Sequence, residues 1–321
     1  MTLVVIIVNY KTPGMVIDCL ASLEPQVAAL PNCRVVIADN ASPDNSVPMI
    51  GDAIAQRRWS SWALLRPLPR NGGFAAGNNA ALQEFLGAPA PPDAFLLLNP
   101  DTLVRDGALP AFLDFMRSKP RAGIAGARLE DAQAVPDAAA HAFPTPWREF
   151  QRALRLGRID RLFGPLSSPR NTVSDPPHRC DWVSGAALCV RREVLEQVGL
   201  LDEGYFLYFD EVDLCRRAAN AGWECWTLPN ACIVHLEGAA TGIRDVTSRR
   251  ARYWFESRRR YFLKHHGRAG LLLADACWAL GRFPRWLHGV VTGRNHLPVK
   301  FSRDLLLGDA RALLRGGRIA P

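Results

Sequence analysis

The sequence predicts an α/β protein built on a sheet of parallel character. Three observations carry that prediction. Short continuous runs of Val, Ile and Leu, expected of strands covered on both faces, recur through the first hundred residues. Helix-period segments alternate with them in the order strand, helix, strand, helix. Polar residues gather directly after the strand ends, where open α/β sheets bind ligands.

Leu3 to Val8 is the first such run, and Asn9-Tyr10-Lys11-Thr12-Pro13-Gly14 follows it. Gly14 to Leu23 reads as a helix. Arg34 to Ala38 is a second buried strand ending in Asp39-Asn40-Ala41-Ser42, and a third begins near Trp62 to Leu65. Asn71-Gly72-Gly73-Phe74 leads into a helix from about Ala75 to Phe85. Ala94 to Leu98 is a strand ending in Asn99-Pro100-Asp101-Thr102.

From about 131 to 180 the pattern loosens. Prolines are frequent, and Arg148, Arg152, Arg155, Arg158 and Arg161 recur every three or four residues, giving a basic stripe on a short helix. This stretch is either a mobile loop over a site or a solvated excursion. Order returns at Trp182 to Arg192, followed by a helix from about Glu193 to Val198. Ile233-Val234-His235 ends another apolar strand, and the tail is mostly helical by pattern.

Composition bounds the function. A chain of 321 residues with 48% hydrophobic content can bury a sizeable core, as one large domain with an appendage or as two domains. The absence of a run of about 18 uncharged apolar residues argues against a transmembrane helix. The start, MTLVVIIVNYK, reads as a buried strand rather than a signal peptide. None of the eight cysteines forms a CxxC pair, which favours reduced thiols in a cytosolic protein over disulfides or a zinc site. Charge divides the chain. Residues 1–240 carry 22 basic and 26 acidic side chains, whereas 241–321 carry 17 and 5. This points to a main domain of 1–240 and a basic, mainly helical region of 241–321. The basic region favours an anionic partner, namely nucleic acid, phosphates or an anionic membrane, or is simply a solvated face.

Two common nucleotide motifs are absent. A dinucleotide fingerprint needs G-x-G-x-x-G directly after the first strand, and neither that spacing nor a Walker-type GKS/GKT occurs. Four other clusters carry candidate chemistry. Asp39 at a strand end can accept a hydrogen bond from a pyrimidine imide N–H, or can close an Asx-turn. Asp101, presented by a proline turn, is a good seat for a hard cation such as Mg²⁺ or Mn²⁺, which prefer oxygen and keep sites for phosphates; a plain strand-end turn is the alternative. Asp210, Glu211 and Asp213 follow an aromatic run at a helix start, where the helix dipole favours ionised carboxylates and one can act as general base, or they are ordinary helix-start acids. His235 alone is more often a core histidine, but beside Asp101 it becomes a second metal ligand.

VVIIVNYK, IADNAS, NGGFAAGNN, LLLNPDT, WVSGAALCVRREVLEQVGLLDE, FLYFDEVDLCRR and VH occur in the order found in family 2 glycosyltransferases, and the chain resembles bacterial rhamnosyltransferase-like members over roughly residues 3 to 266. The resemblance implies a GT-A fold with a mixed, mainly parallel sheet and a basic helical C-terminal extension. It implies inverting, metal-dependent transfer from a nucleotide-diphosphate sugar, with dTDP-rhamnose the expected donor and UDP-linked galactose, galactofuranose or N-acetylglucosamine the alternatives. The acceptor it implies is a glycan or lipid-linked saccharide in cell-surface polysaccharide synthesis, at the cytoplasmic face of the plasma membrane.

By resemblance, Asn9, Asp39, Asn71, Gly72, Gly73, Phe74, Asn79 and Asn99 surround the nucleotide. Asp101 and His235 hold the metal, with Asn99 standing where the family's DxD motif has its first acid. Trp182, Gly185, Ala186 and Asp213 face the sugar or acceptor. Glu211 occupies the base position, because the family's Glu-Asp-x-Asp reads Asp210-Glu211-Val212-Asp213 here; Asp210 is the alternative base. Arg258, Arg260 and Lys264 are expected to reach the donor diphosphate or an anionic acceptor. Further on, Trp278, Phe283, Trp286 and Leu287 mix with Arg282, Arg285 and Arg294, a composition suited to peripheral contact with an anionic membrane. Two other classes compete: a non-catalytic nucleotide-sugar- or glycan-binding protein, and a nucleic-acid-binding protein. The intact Asp101, Glu211 and His235 argue against the first, and the acidic first 240 residues against the second.

Overall fold

The computed structural model describes residues 1–30, 32–154, 175–236, 248–292 and 300–314. The chain divides into two compact units. The first comprises Met1–His141, Ser167–Glu203 and Asp210–Ala240; the second comprises Ala142–Leu166, Gly204–Phe209 and Thr241–Pro321. The expected boundary at residue 240 lies at the last junction of this division, in which two earlier pieces of chain group with the basic C-terminal region. Arg155, Arg158 and Arg161 of the expected basic stripe lie outside the described residues, as do Arg294 and the side chain of Arg285.

In the first unit, β1 (Leu3–Asn9) is buried at every position, as its unbroken apolar run requires. Helix α1 (Pro13–Ala28) starts with proline in its first turn, where a missing N–H costs nothing, and extends beyond the expected Leu23 through Pro25. Strand β2 (Cys33–Asp39), helix α2 (Ser46–Gln56) and β3 (Ala63–Pro67) follow. Helix α3 (Gly73–Leu86) packs closely on β1: a Cβ at Gly77 would stand 2.7 Å from Val8 Cγ1. Next come β4 (Ala94–Leu98), β5 (Thr102–Val104), α4 (Ala108–Ser118), β6 (Ala122–Glu130) and β7 (Ala140–His141). The chain then supplies α5 (Pro146–Leu154) to the second unit. It returns with β8 (His178–Cys180), β9 (Trp182–Val183), β10 (Ala187–Arg191), α6 (Arg192–Val198), α7 (Asp210–Asn220) and β11 (Glu224–His235).

The main sheet runs β3-β2-β1-β4-β10-β6-β11-β5, with β8 also paired to β11. Pairings among β1, β2, β3 and β4 are parallel, as is β6 with β11. β10 is antiparallel to both β4 and β6, and β5 is antiparallel to β11. The sheet is therefore mixed and mostly parallel. After β3 the chain returns to the other side of β1 to lay down β4. That reversal makes the carboxyl ends of β1 and β4 a topological switch point, the place where open α/β sheets leave a crevice. One core cluster joins the sheet to α1, α2 and α4 through Val16, Leu20, Ile50, Phe112 and Met116. All eight cysteines are free thiols.

The second unit is helical among its described residues. Helix α5 meets α8 (Arg252–Thr292), which is interrupted at Gly267 (φ 67°), and α9 (Phe301–Leu314) completes the group. Ala153, Phe255, Trp278, Phe301 and Leu305 form its apolar centre. Beside them Arg258, 1% exposed, bonds Glu149 (2.9 Å), Asp275 (2.9 Å) and Asp309 (3.1 Å). Burial alone would lower the Arg258 pKa, but the three carboxylates raise it, so the guanidinium stays charged. Burial pushes Asp275 up to about 7, against the pull of Arg258 and with the help of Asp309. The segment 146–154 is thus neither a mobile loop nor a solvated excursion but a packed helix. Among the described residues, no helix is long and apolar enough to cross a membrane.

Candidate active site

The carboxyl ends of β1 and β2 are cross-tied. Asn9 Nδ2 donates to Asp39 Oδ2 at 2.6 Å and to Ser42 Oγ at 3.3 Å, while Asn9 Oδ1 accepts from Thr12 N and Oγ1 at 3.2 and 2.9 Å. Asn9 is fully buried and its amide is saturated. Asn9, expected in the turn that lines the nucleotide, orients Asp39. Asp39 Oδ1 also accepts from Ser42 N at 2.9 Å. Its acceptor-only carboxylate has two lone-pair sites in use of about four.

The glycine stretch sits at the same end of the sheet. Asn71 Oδ1 accepts from Gly73 N at 3.0 Å, and Asn40 Nδ2 on the β2 turn donates to Gly73 O at 2.8 Å. Gly73 has φ 87°, a left-handed value that a side chain would disfavour. Phe74 is half-buried at the helix start. Asn79, expected to pack around the nucleoside, bonds chain further along. Its Nδ2 donates to Leu201 O (2.9 Å) and Glu203 Oε1 (3.0 Å), and its Oδ1 accepts from Leu201 N (3.1 Å). Buried and engaged through both amide atoms, it pins the chain ahead of α7.

The turn after β4 gathers the expected metal residues. Thr102 Oγ1 donates to Asn99 O at 2.7 Å, and Asn99 N donates to Ala186 O at 2.9 Å. Pairing of β5 with β11 sets Thr102 opposite His235, and Leu236 N donates to Asp101 O at 2.9 Å. His235 Nε2 thereby lies 3.4 Å from Asp101 Oδ1 and 3.5 Å from Asn99 Nδ2. Asp101 is 3% exposed, and its Oδ1 is buried without a hydrogen-bond partner. An orphan carboxylate oxygen facing an imidazole nitrogen fits a hard divalent cation. No group of three or more such ligands occurs among the described residues, so any ion there would complete its shell from phosphate oxygens and water.

The turn between β9 and β10 links this pocket to the helix-start acids. Ala186 contributes its carbonyl to Asn99, and a Cβ at Gly185 would lie 3.5 Å from Glu211 Cβ and Cγ. Trp182 stacks on His141, centroids 4.4 Å apart. Asp210 is 2% exposed. Burial, then the Glu211 carboxylate, raises its pKa well above the carboxylate range, with Asp213 adding to the effect. This corrects the expectation that the helix dipole keeps the whole first turn ionised: for Asp210 desolvation wins. Asp213, expected at the sugar or acceptor, is fully buried and pairs with Arg217 Nε at 2.7 Å. Arg217 also donates to the carbonyls of Val198, Gly199 and Leu200, anchoring α7. Sequence reasoning passed over Arg217, although its i,i+4 spacing from Asp213 is the usual sign of such a pair. Immediately before Asp210, Tyr208 and Phe209 have φ values of 68° and 67°. Such strain in consecutive non-glycine residues is concentrated at functional sites.

Arg258, Arg260 and Lys264 belong to the second unit. Arg258 is committed to the buried carboxylates, which corrects its expected role toward an external anion. The Arg260 guanidinium packs where a Gly204 side chain would stand and over the Tyr205 ring at 5.5 Å; Lys264 Nζ lies 5.9 Å from that ring.

A mixed sheet with its polar cluster at the carboxyl ends of β1, β2 and β4 is the architecture of GT-A glycosyltransferases. Mannosyltransferase PcManGT from Pyrobaculum calidifontis, solved in complex with GDP-Man and Mn²⁺, shares the fold at a TM-score of 0.55 and 15% identity, over 98% of this chain and 79% of that one. Residues 4–166 match Glycosyl transferase family 2, and residues 94–293 match Glycosyl transferase family group 2. The chain is 32% identical over 315 residues to the N-acetylglucosaminyl-diphospho-decaprenol L-rhamnosyltransferase of Mycobacterium tuberculosis, covering 93% of each. It is 28% identical over 195 residues to Rhamnosyltransferase WbbL of Escherichia coli, covering 60% of this chain and 70% of that protein. The chain belongs to glycosyl transferase family 2.

Proposed function

We propose that the protein transfers L-rhamnose from dTDP-rhamnose, with inversion, to a saccharide carried on a lipid diphosphate. The observation that carries this is the convergence of Asn99, Asp101 and His235 with the Gly185-Ala186 turn and Glu211 in one unit. The two rhamnosyltransferase relatives support the sugar, and the decaprenol-linked relative supports the acceptor class.

In this reading Asp39, oriented by Asn9, accepts the imide N–H of the pyrimidine base, and Asn71, Gly72, Gly73 and Phe74 wall the nucleoside. Asp101 with His235 would hold Mg²⁺ or Mn²⁺, which when bound supplies positive charge to the leaving diphosphate. Glu211 takes the proton from an acceptor hydroxyl. The oxygen attacks the anomeric carbon from the face opposite the diphosphate. The new glycosidic bond forms as the carbon–oxygen bond to the diphosphate breaks, and the electron pair leaves with the nucleotide. Asp210, whose pKa burial raises with the Glu211 charge beside it, stands next to the base without replacing it.

Calorimetric titration with dTDP-rhamnose, UDP-sugars and GDP-mannose, with and without each metal, tests donor and cofactor together. Metal-dependent binding of dTDP-rhamnose is expected, followed by transfer to a synthetic N-acetylglucosaminyl-diphospho-polyprenol with inverted anomeric configuration by NMR. Preference for another nucleotide sugar, metal-independent binding, or a retained configuration would each overturn the corresponding part.

A further inference from the structure

Helix α8 has two apolar faces beyond Gly267, and the second unit uses only one. Leu271, Ala274, Trp278 and Gly281 are buried. On the other side Leu272, Leu273, Leu280, Phe283, Trp286 and Leu287 are each at least half exposed. The exposed positions between Ala269 and Leu287 whose side chains are described carry no charge. That face extends about 27 Å at 1.5 Å per residue. Soluble surfaces rarely leave so long an apolar stripe uncovered without a partner.

The charge around it identifies the partner. Residues 241–321 hold 17 basic side chains and 5 acidic ones. Four of those acids are neutralised internally: Glu256 pairs with Arg252, Asp304 with Arg249, and Asp275 and Asp309 with the Arg258 cluster. The fifth, Asp245, lies outside the described residues. Residues 241–321 therefore carry a net excess of basic side chains, and Arg268 and Arg282 lie on the helix that bears the stripe. The Phe283 and Trp286 rings stack at 5.9 Å. Leucines and aromatics on one face with cations beside them are the composition of helices that lie in a lipid interface.

We propose that the Leu272–Leu287 face of α8 lies in the plane of an anionic bilayer and holds the enzyme on it. The inference goes beyond the proposed reaction and stands whichever donor is used.

The test is co-sedimentation of the full chain with vesicles of phosphatidylcholine alone and of phosphatidylcholine with 30% phosphatidylglycerol. At least tenfold tighter binding to the anionic vesicles is expected. Leu280→Glu/Phe283→Glu should lower it at least tenfold, with an unchanged melting temperature. The neutral pair Leu280→Gln/Phe283→Gln separates loss of insertion from charge repulsion and should also weaken binding. Binding equal on both vesicle types, or unaffected by either variant, overturns the proposal. So does a wild-type dimer by light scattering that the variants abolish without vesicle binding, since the occupant would then be a second copy. Donor affinity, measured without vesicles, reports on the reaction separately.

Discussion

Asp210 and Glu211 are adjacent acids, and burial raises the pKa of Asp210 well above its ordinary value. The decisive comparison is Asp210→Asn against Glu211→Gln. Asp210 is buried, and burial together with the Glu211 charge keeps its carboxyl protonated well above the usual carboxylate range. An amide has the same shape as a neutral acid and can also donate a hydrogen bond, so Asp210→Asn should cost less than about tenfold in kcat/KM, under about 1.4 kcal/mol. Glu211→Gln removes the proposed proton acceptor and should cost about 10²–10⁴, or roughly 3–5 kcal/mol. Stability gives a second readout. A carboxyl with a raised folded pKa stabilises most below its unfolded value and loses that contribution as pH rises through the folded value. Asp210→Asn should therefore be more stable than wild type at pH 8 and lose that advantage at pH 4.5. Nucleotide release assays at saturating donor, with calorimetry confirming donor binding in each variant, supply the rates; urea titrations supply the stabilities. A loss of 10² or more in Asp210→Asn, with Glu211→Gln retaining activity, would reverse the assignment and refute the protonation argument.

Other outcomes follow from the same geometry. Asp101→Asn should weaken metal-dependent donor binding by at least about tenfold while leaving the melting temperature within a few degrees, as seen by calorimetry with and without Mn²⁺; undiminished metal dependence would remove Asp101 from the metal site. Arg258→Met should cost about 3–5 kcal/mol in urea at pH 7.5, because it strands Glu149 and Asp275 in the interior. The cost should shrink near pH 5. Asp275, pushed up to about 7 in the folded chain, contributes stability that is complete below its ordinary 3.8 and lost as pH rises through about 7. A pH-independent cost would count against the network. Gly77→Val should destabilise by about 1–3 kcal/mol, since its Cβ would stand 2.7 Å from Val8 Cγ1; an unchanged urea midpoint would contradict that packing.

Strands β1, β2 and β4 were legible because strands covered on both faces need continuous apolar runs, and few other segments do. The direction of β10 was not, since Ala187–Arg191 is apolar whichever way it runs. Asp101 and His235 were legible as a candidate pair from residue type and strand-end position, and the family resemblance reinforced it. What joins them is the antiparallel match of β5 to β11, across more than 130 positions. Arg258 misled because an arginine in a basic run looks the same whether solvated or buried. Its partners Glu149, Asp275 and Asp309 are 109, 17 and 51 positions away, beyond any local pattern. Asn9 and Asn79 illustrate a related limit. Both lie in stretches that turn toward the site, but hydrogen-bond saturation depends on neighbours that only the fold supplies.

The reversed strand β10 has a consequence for biosynthesis. Among the described residues, it joins β3-β2-β1-β4 to β6-β11-β5 in the main sheet. Until residues 187–191 emerge, β4 lacks its β10 partner and β6, whose other neighbour β11 comes later still, has neither of its partners, leaving apolar margins that include Phe95, Leu96, Leu97 and Ile124 unpaired. A nascent or truncated chain ending before Ala186 therefore carries unpaired strand edges together with an incomplete turn at Asn99, which lacks its Ala186 partner. Such chains should aggregate rather than bind nucleotide weakly. The candidate site therefore comes together only after β10 has joined the two parts of the sheet, late in the order of the chain.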